Sequence, residues 1–177
     1  AATGTAVLFA DADLSTPLPT VEEMLPLLKG HGGESDLVIG SREGVGARRH
    51  DEPLYRHLMG RVFNALVRAL AVPGIHDTQC GFKLFTGPAA RDLFGRLRLY
   101  GADAPTVRGP MVTGFDVELL FLARRRGYRL TERPVQWQHV PGSKVDPLRD
   151  AARMLGDVLR VRLNDLRGGD EWLVASG

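Results

Sequence analysis

The run Ala6-Val7-Leu8-Phe9-Ala10 constrains this chain more than any other stretch, because it ends directly in Asp11-Ala12-Asp13. Five consecutive apolar residues, bounded by Gly4 and Pro17, read as a strand buried in a parallel or mixed sheet. Ligand sites in open α/β sheets lie at the carboxyl ends of strands, where both acids fall. In a regular strand Asp11 and Asp13 share one face, and a turn just after it can aim both at one hard cation, Mg²⁺ or Mn²⁺. The competing reading makes Asp11 a turn residue and Asp13 the N-cap of the next segment.

A chain of 177 residues can bury a sizeable core, and 44% hydrophobic with 25% charged residues is globular rather than disordered composition. No apolar run reaches bilayer length and no signal pattern opens the chain, so a soluble or peripheral protein is expected. Cys80 is the single cysteine, which excludes an intrachain disulfide and a multi-cysteine zinc site and fits a reducing compartment. A net charge of +2 gives no argument for nucleic acid. The core strand begins within a few residues of Ala1, from which a fragment is expected.

Beyond Ser15-Thr16-Pro17, Thr20-Val21-Glu22-Glu23 fits a capping box opening a helix to about Lys29, imperfect at Pro26. Asp36 to Gly40 is the next strand and runs into Ser41-Arg42, which sets an arginine at the same edge as the acids. Residues 43–53 have glycines, charges and no periodicity, and read as a mobile loop. Gly44-Val45-Gly46 lacks the third glycine and the strand-to-helix setting of a dinucleotide fingerprint. Apolar positions 55, 58, 59, 62, 63, 66, 67 and 70 make a helical stripe.

Ile75 to Gly81 is a polar turn leading into a short strand ending at Phe85, and Pro88 to Leu97 a helix with proline in its first turn. The helix from Phe115 to Arg126 has acids first and arginines last, as its macrodipole favours. Tyr128 to Trp137 alternates as a strand. The last helix, about Pro147 to Leu166, carries apolar positions 148, 151, 152, 155, 158, 159, 163 and 166 on one face. That face suits a membrane surface, or packing on its own domain, which periodicity favours.

Five motifs in this order, Asp11-Ala-Asp13-Leu-Ser-Thr-Pro17, Gly40-Ser-Arg42, Asp77-Thr-Gln-Cys-Gly-Phe-Lys83, Phe115-Asp-Val-Glu118 and Gly142-Ser-Lys144, resemble the family-2 glycosyltransferases that act on polyprenyl phosphates. The glucosyl branch is the nearer and the mannosyl branch the next. The resemblance implies an α/β fold of the GT-A type, a sandwich with a mostly parallel sheet, here without its N-terminal βαβ nucleotide-binding unit. It divides the chain into residues 1–145, the later part of the catalytic domain, and 146–177, an amphipathic helix and tail.

The implied reaction moves a hexose from a nucleotide-sugar donor, UDP-glucose or else GDP-mannose, to a polyprenyl or dolichyl phosphate, with inversion. The expected place is the cytoplasmic face of a membrane, with the protein peripheral to it. By resemblance Asp13 is the direct metal ligand, with Asp11 on the donor or on the metal through water. Arg42 and Arg56 match phosphate-binding arginines, whose planar forks suit that anion. Lys144 closes over the diphosphate or the acceptor. Asp77 stands beside the acceptor or the donor sugar, with Gln79 and Gly81 shaping the pocket. Asp116 and Glu118 contact sugar hydroxyls or cap their helix.

Singly, each of these residues has a plain structural reading as a solvating charge or a turn. Two further functions stay open: a family-2 transferase with a sugar-hydroxyl acceptor, whose processive members show a Gln-x-x-Arg-Trp signature absent here, and a non-catalytic membrane-surface module.

Overall fold

The computed structural model describes residues 2–50, 61–62, 65–100, 114–138 and 147–168. Arg56 and Lys144 lie outside them, as do residues 51–53 and 55–60 of the expected loop and helix.

A four-stranded sheet organises the chain, in the order β1 (Ala6–Ala10), β4 (Phe82–Thr86), β2 (Leu37–Ser41), β5 (Leu130–Pro134). β1, β2 and β5 run one way; β4 lies between β1 and β2 and runs the other. The expectation of a mostly parallel sheet therefore holds for strand direction but not for the ladders, two of which are antiparallel. The reversal matters for the site, because it brings the start of β4 to the edge where β1 and β2 end.

Alternation along the strands feeds two apolar layers. Leu37, Ile39 and Phe85 face one cluster, which also holds Val67 and Val72 and buried residues of three helices, α2 (Gly87–Gly95), α3 (Phe115–Arg125) and α4 (Pro147–Gly168). Val38, Phe82 and Leu84 face a second cluster with Met24, Leu28, Cys80 and Val135. Every residue of β2 and β4 is buried, as central strands covered on both faces require. Each fully buried Leu, Ile or Phe contributes about 1.5–3 kcal/mol. β1, at the edge, is only half-buried along its length.

Several local expectations are corrected. No capping box forms: Pro19 is the N-cap of α1 (Thr20–Met24), without a side-chain cap, and the chain tightens into a 3-10 turn over Leu25–Leu27. Pro26 has no amide hydrogen for a longer helix, which is the physical reason. Part of the expected loop is a strand, β3 (Arg48–His50), parallel to β6 (Gln136–Gln138). The single strand read over Tyr128 to Trp137 breaks at Val135, whose amide donates to the Ser41 carbonyl at 3.0 Å. In α2 the Thr86 side chain caps Ala89, with proline in the first turn.

α4 buries a face rotated from the one periodicity selected, with Val158 common to both. Met154, Val158 and Val161 pack into the first cluster, while Leu159, Leu163 and Leu166 stay exposed. The rotation is set by two buried acids on the packed face. Asp157 receives the Tyr100 hydroxyl at 2.5 Å, and Asp165 pairs with Arg125 at 2.8 Å. Among the described residues no helix is long and apolar enough to cross a membrane.

Candidate active site

The carboxyl ends of β1 and β2, the turn before β4 and the N-terminus of α3 meet at one edge of the sheet. Asp11 leaves β1 with its amide donating to the Gly81 carbonyl at 2.8 Å. Its carboxylate lies against Gly81 so closely that a Cβ there would come within 1.8 Å of Oδ2. Only glycine at position 81 admits this arrangement. Burial, then the charges of Asp116 and Asp13, raise the Asp11 pKa against the pull of Lys83 and Arg42.

Asp13 is exposed, and its Oδ1 accepts the Ser15 amide at 3.0 Å, closing a local turn; it is not the N-cap of α1, which is Pro19. Between the two acids and Ser15, Leu14 has φ 51°, a left-handed backbone that costs a non-glycine residue roughly 1–2 kcal/mol.

Asp77 and Arg42 form the firmest contact of the site. The Arg42 Nε donates to Asp77 Oδ2 at 2.7 Å, one terminal nitrogen to Oδ1 at 2.8 Å, and the Arg42 amide to Oδ2 at 2.8 Å. Burial alone would raise the Asp77 pKa; the Arg42 charge and hydrogen bonds, with Lys83 adding, overcome this and bring it down to about 2. Arg42 also stacks over Trp137, 5.6 Å from the ring centroid. With 0% of its side chain exposed, Asp77 orients Arg42 and is shut off from solvent, in contrast to the direct substrate contact expected of it.

The Gln79 amide closes an Asx turn on Asp77 at 3.3 Å, while its side chain donates to Met154 Sδ in α4. Gln79 thus faces the C-terminal helix. Glu132 supports the same turn by accepting the amides of His76 and Asp77 at 3.0 Å.

At the start of α3 the two acids diverge. Asp116 pairs with Lys83, whose ammonium also donates to the Cys80 carbonyl at 2.6 Å. Glu118 is wholly buried and accepts the amides of Arg98, Leu99 and Tyr100 at 2.7, 3.0 and 3.3 Å. It neither caps α3 nor reaches the acids, so its geometry is that of an anchor for the turn after α2. Burial, with Asp157 adding, raises its pKa against those three donors.

Lys83 escaped the sequence reading, although a lysine inside Phe-Lys-Leu-Phe is the signal that could have found it. So did the brace in which the Gly114 amide meets Tyr100 and Asp157. Cys80 is buried; burial and Asp77 push its thiol up to about 11, so it is a packing residue.

Among the described residues, no three His, Cys, Asp or Glu side chains converge as a metal cage. The donor set is chemically suited to a cation completed from outside the protein. Four carboxyl side chains, Asp11, Asp13, Asp77 and Asp116, gather at this edge, where Arg42 engages Asp77 and Lys83 engages Asp116. Magnesium needs only one or two carboxylates plus phosphate oxygens.

The sheet thus sets paired acids at the end of one strand beside an arginine at the end of another. Comparison with known proteins adds the relatives this chain resembles. The chain is 35% identical over 173 residues to the human dolichyl-phosphate β-glucosyltransferase, covering 93% of this chain and 49% of that protein. Its counterpart in Dictyostelium discoideum is 32% identical over 167 residues, 91% of this chain and 47% of the relative. Glycosyltransferase AglD of Haloferax volcanii is 34% identical over 160 residues, 90% of this chain and 23% of the relative. No family model matches. These similarities support a family-2 glycosyltransferase, and the chain spans about half the length of the dolichyl-phosphate β-glucosyltransferases it matches.

Proposed function

We propose that this chain is the later part of a GT-A catalytic domain that transfers glucose from UDP-glucose to a dolichyl or related polyprenyl phosphate, inverting the anomeric carbon. The observation that carries the reading is the meeting of Asp11, the Arg42–Asp77 pair and the Asp116–Lys83 pair at one sheet edge. The names of the relatives support the acceptor and the glucosyl group. The half-buried outer edge of β1 supports a further strand there, supplied by an N-terminal nucleotide-binding unit.

The acceptor phosphate is already an anion at neutral pH, so the site has no need of a strong base; it needs positioning, which can remove several kcal/mol of barrier. Arg42, locked by Asp77 and Trp137, is pre-aimed for that anion, with Arg56 and Lys144 proposed to complete the cradle. Asp13, with Asp11 behind it, would hold Mg²⁺ or Mn²⁺, which as a Lewis acid neutralises charge on the departing diphosphate. The exposed row Leu159, Leu163 and Leu166, flanked by Arg160, Arg162 and Arg167, supports a peripheral place on a cytoplasmic membrane face.

The test is to incubate the full-length protein with labelled UDP-glucose or GDP-mannose, polyprenyl phosphate and either metal. Organic-extractable label from UDP-glucose that disappears with chelator is expected. Label from GDP-mannose alone would move the reading to mannosyl transfer. No transfer from either donor, together with binding to anionic vesicles, would leave the non-catalytic surface module.

A further inference from the structure

Lys83 is the least expected residue in the sheet. It is the second residue of β4, paired in register with Phe9 on one side and Ile39 on the other, and 0% of its side chain is exposed. A lysine is almost never fully buried unless it is paired. Its ammonium stands 6.0 Å from the Phe9 ring centroid, donates to the Cys80 carbonyl and meets Asp116. The pair is closed at its cation and open at its anion, for Asp116 keeps 19% of its side chain exposed.

A pair serving stability alone gains little from this layout, because replacing a buried ion pair with well-packed apolar residues is often neutral or stabilising. A carboxylate held at the sheet edge by a hidden cation is different. It stays fixed, and it can accept hydrogen bonds from a ligand's hydroxyls at little cost in side-chain ordering. The Cys80 carbonyl that shares Lys83 directly precedes Gly81, the seat of the Asp11 carboxylate. One ammonium therefore ties the two acids' supports together.

Resting on the glycosyl-transfer reading above, we propose that Lys83 is a positioning residue that presents Asp116 to the hydroxyls of the donor sugar, while fixing the Cys80–Gly81 backbone behind Asp11. Asp116 then recognises the sugar, and the diphosphate is left to other groups.

The test uses the full-length protein and the variants Lys83→Met, Asp116→Asn and the two combined. Lys83→Met strands a carboxylate and lowers Tm by roughly 10 °C. The combined variant regains most of that loss, yet its kcat/KM for UDP-glucose remains at least about tenfold down, the scale of one lost charge-assisted hydrogen bond. Asp116→Asn, isosteric and open to solvent, raises the UDP-glucose KM while binding of UDP alone stays within about twofold. A combined variant with both Tm and kcat/KM of the wild type would overturn the proposal, as would an unchanged UDP-glucose KM in Asp116→Asn or an equal loss of UDP binding. Wild-type protein that transfers no sugar would instead refute the glycosyl-transfer reading on which the proposal rests.

Discussion

Replacing Arg42 with methionine removes the partner of a carboxylate that cannot reach water. The folded-state pKa of Asp77, about 2 against an ordinary 3.8, corresponds to on the order of 2–3 kcal/mol of stability. Since the folded value is depressed, that stability is fully present above pH 3.8 and is lost as pH falls toward 2. In Arg42→Met the burial remains without the compensating charge, and breaking such a pair costs about 3–5 kcal/mol at neutral pH. Burial then raises the Asp77 pKa, so the variant relieves its penalty by protonating as the solution becomes acidic. Urea unfolding at pH 7 and pH 3 should give a wide gap between wild type and variant at pH 7 and a clearly narrower one at pH 3. Arg42→Met combined with Asp77→Asn should recover most of the loss at pH 7. A gap of equal size at both pH values would refute the reasoning, because it would mean that packing of the arginine stem, and not the charge of Asp77, carries the effect.

Other perturbations follow from the same geometry. Gly81→Ala drives a Cβ into the Asp11 carboxylate and should cost about 1–3 kcal/mol in stability, measured by thermal unfolding. Glu118→Ala strands three amides of the turn after α2 and should lower stability by about 3 kcal/mol or more in urea titration, with Glu118→Gln costing less because its carbonyl still accepts. Cys80 should resist iodoacetamide at pH 7.5 in the native protein and react fully in urea, read by mass spectrometry; rapid native labelling would contradict its burial.

The parts of the site that a sequence displays are those in which one short segment carries the meaning. Asp11 and Asp13 end an apolar run, and the start and stop of α3 follow from its acids and arginines. What stayed hidden depends on residues far apart in the chain. Nothing local pairs Arg42 with Asp77, and nothing in Phe82 to Phe85 announces that this strand runs backwards between two others. The buried face of α4 was misread for a related reason: periodicity counts apolar residues, whereas Asp157 and Asp165 turned that face inward by finding partners in Tyr100 and Arg125. Motif position gave Gln79 a place beside the pocket and Glu118 a sugar contact or a helix cap; it could not show that the Gln79 side chain donates to Met154 in α4 or that Glu118 accepts the amides of the turn at 98–100.

The sheet order also governs when the site can come into being. No two neighbouring strands in it are consecutive in the chain, so every ladder must close a long loop before it gains a hydrogen bond. Chains of such high contact order fold slowly. Asp11, Arg42 and Asp77 meet only after β4 has slotted between β1 and β2. A nascent or partly unfolded chain therefore holds scattered acids and arginines, and the proposed site should assemble in one late kinetic phase, together with the last of the native structure.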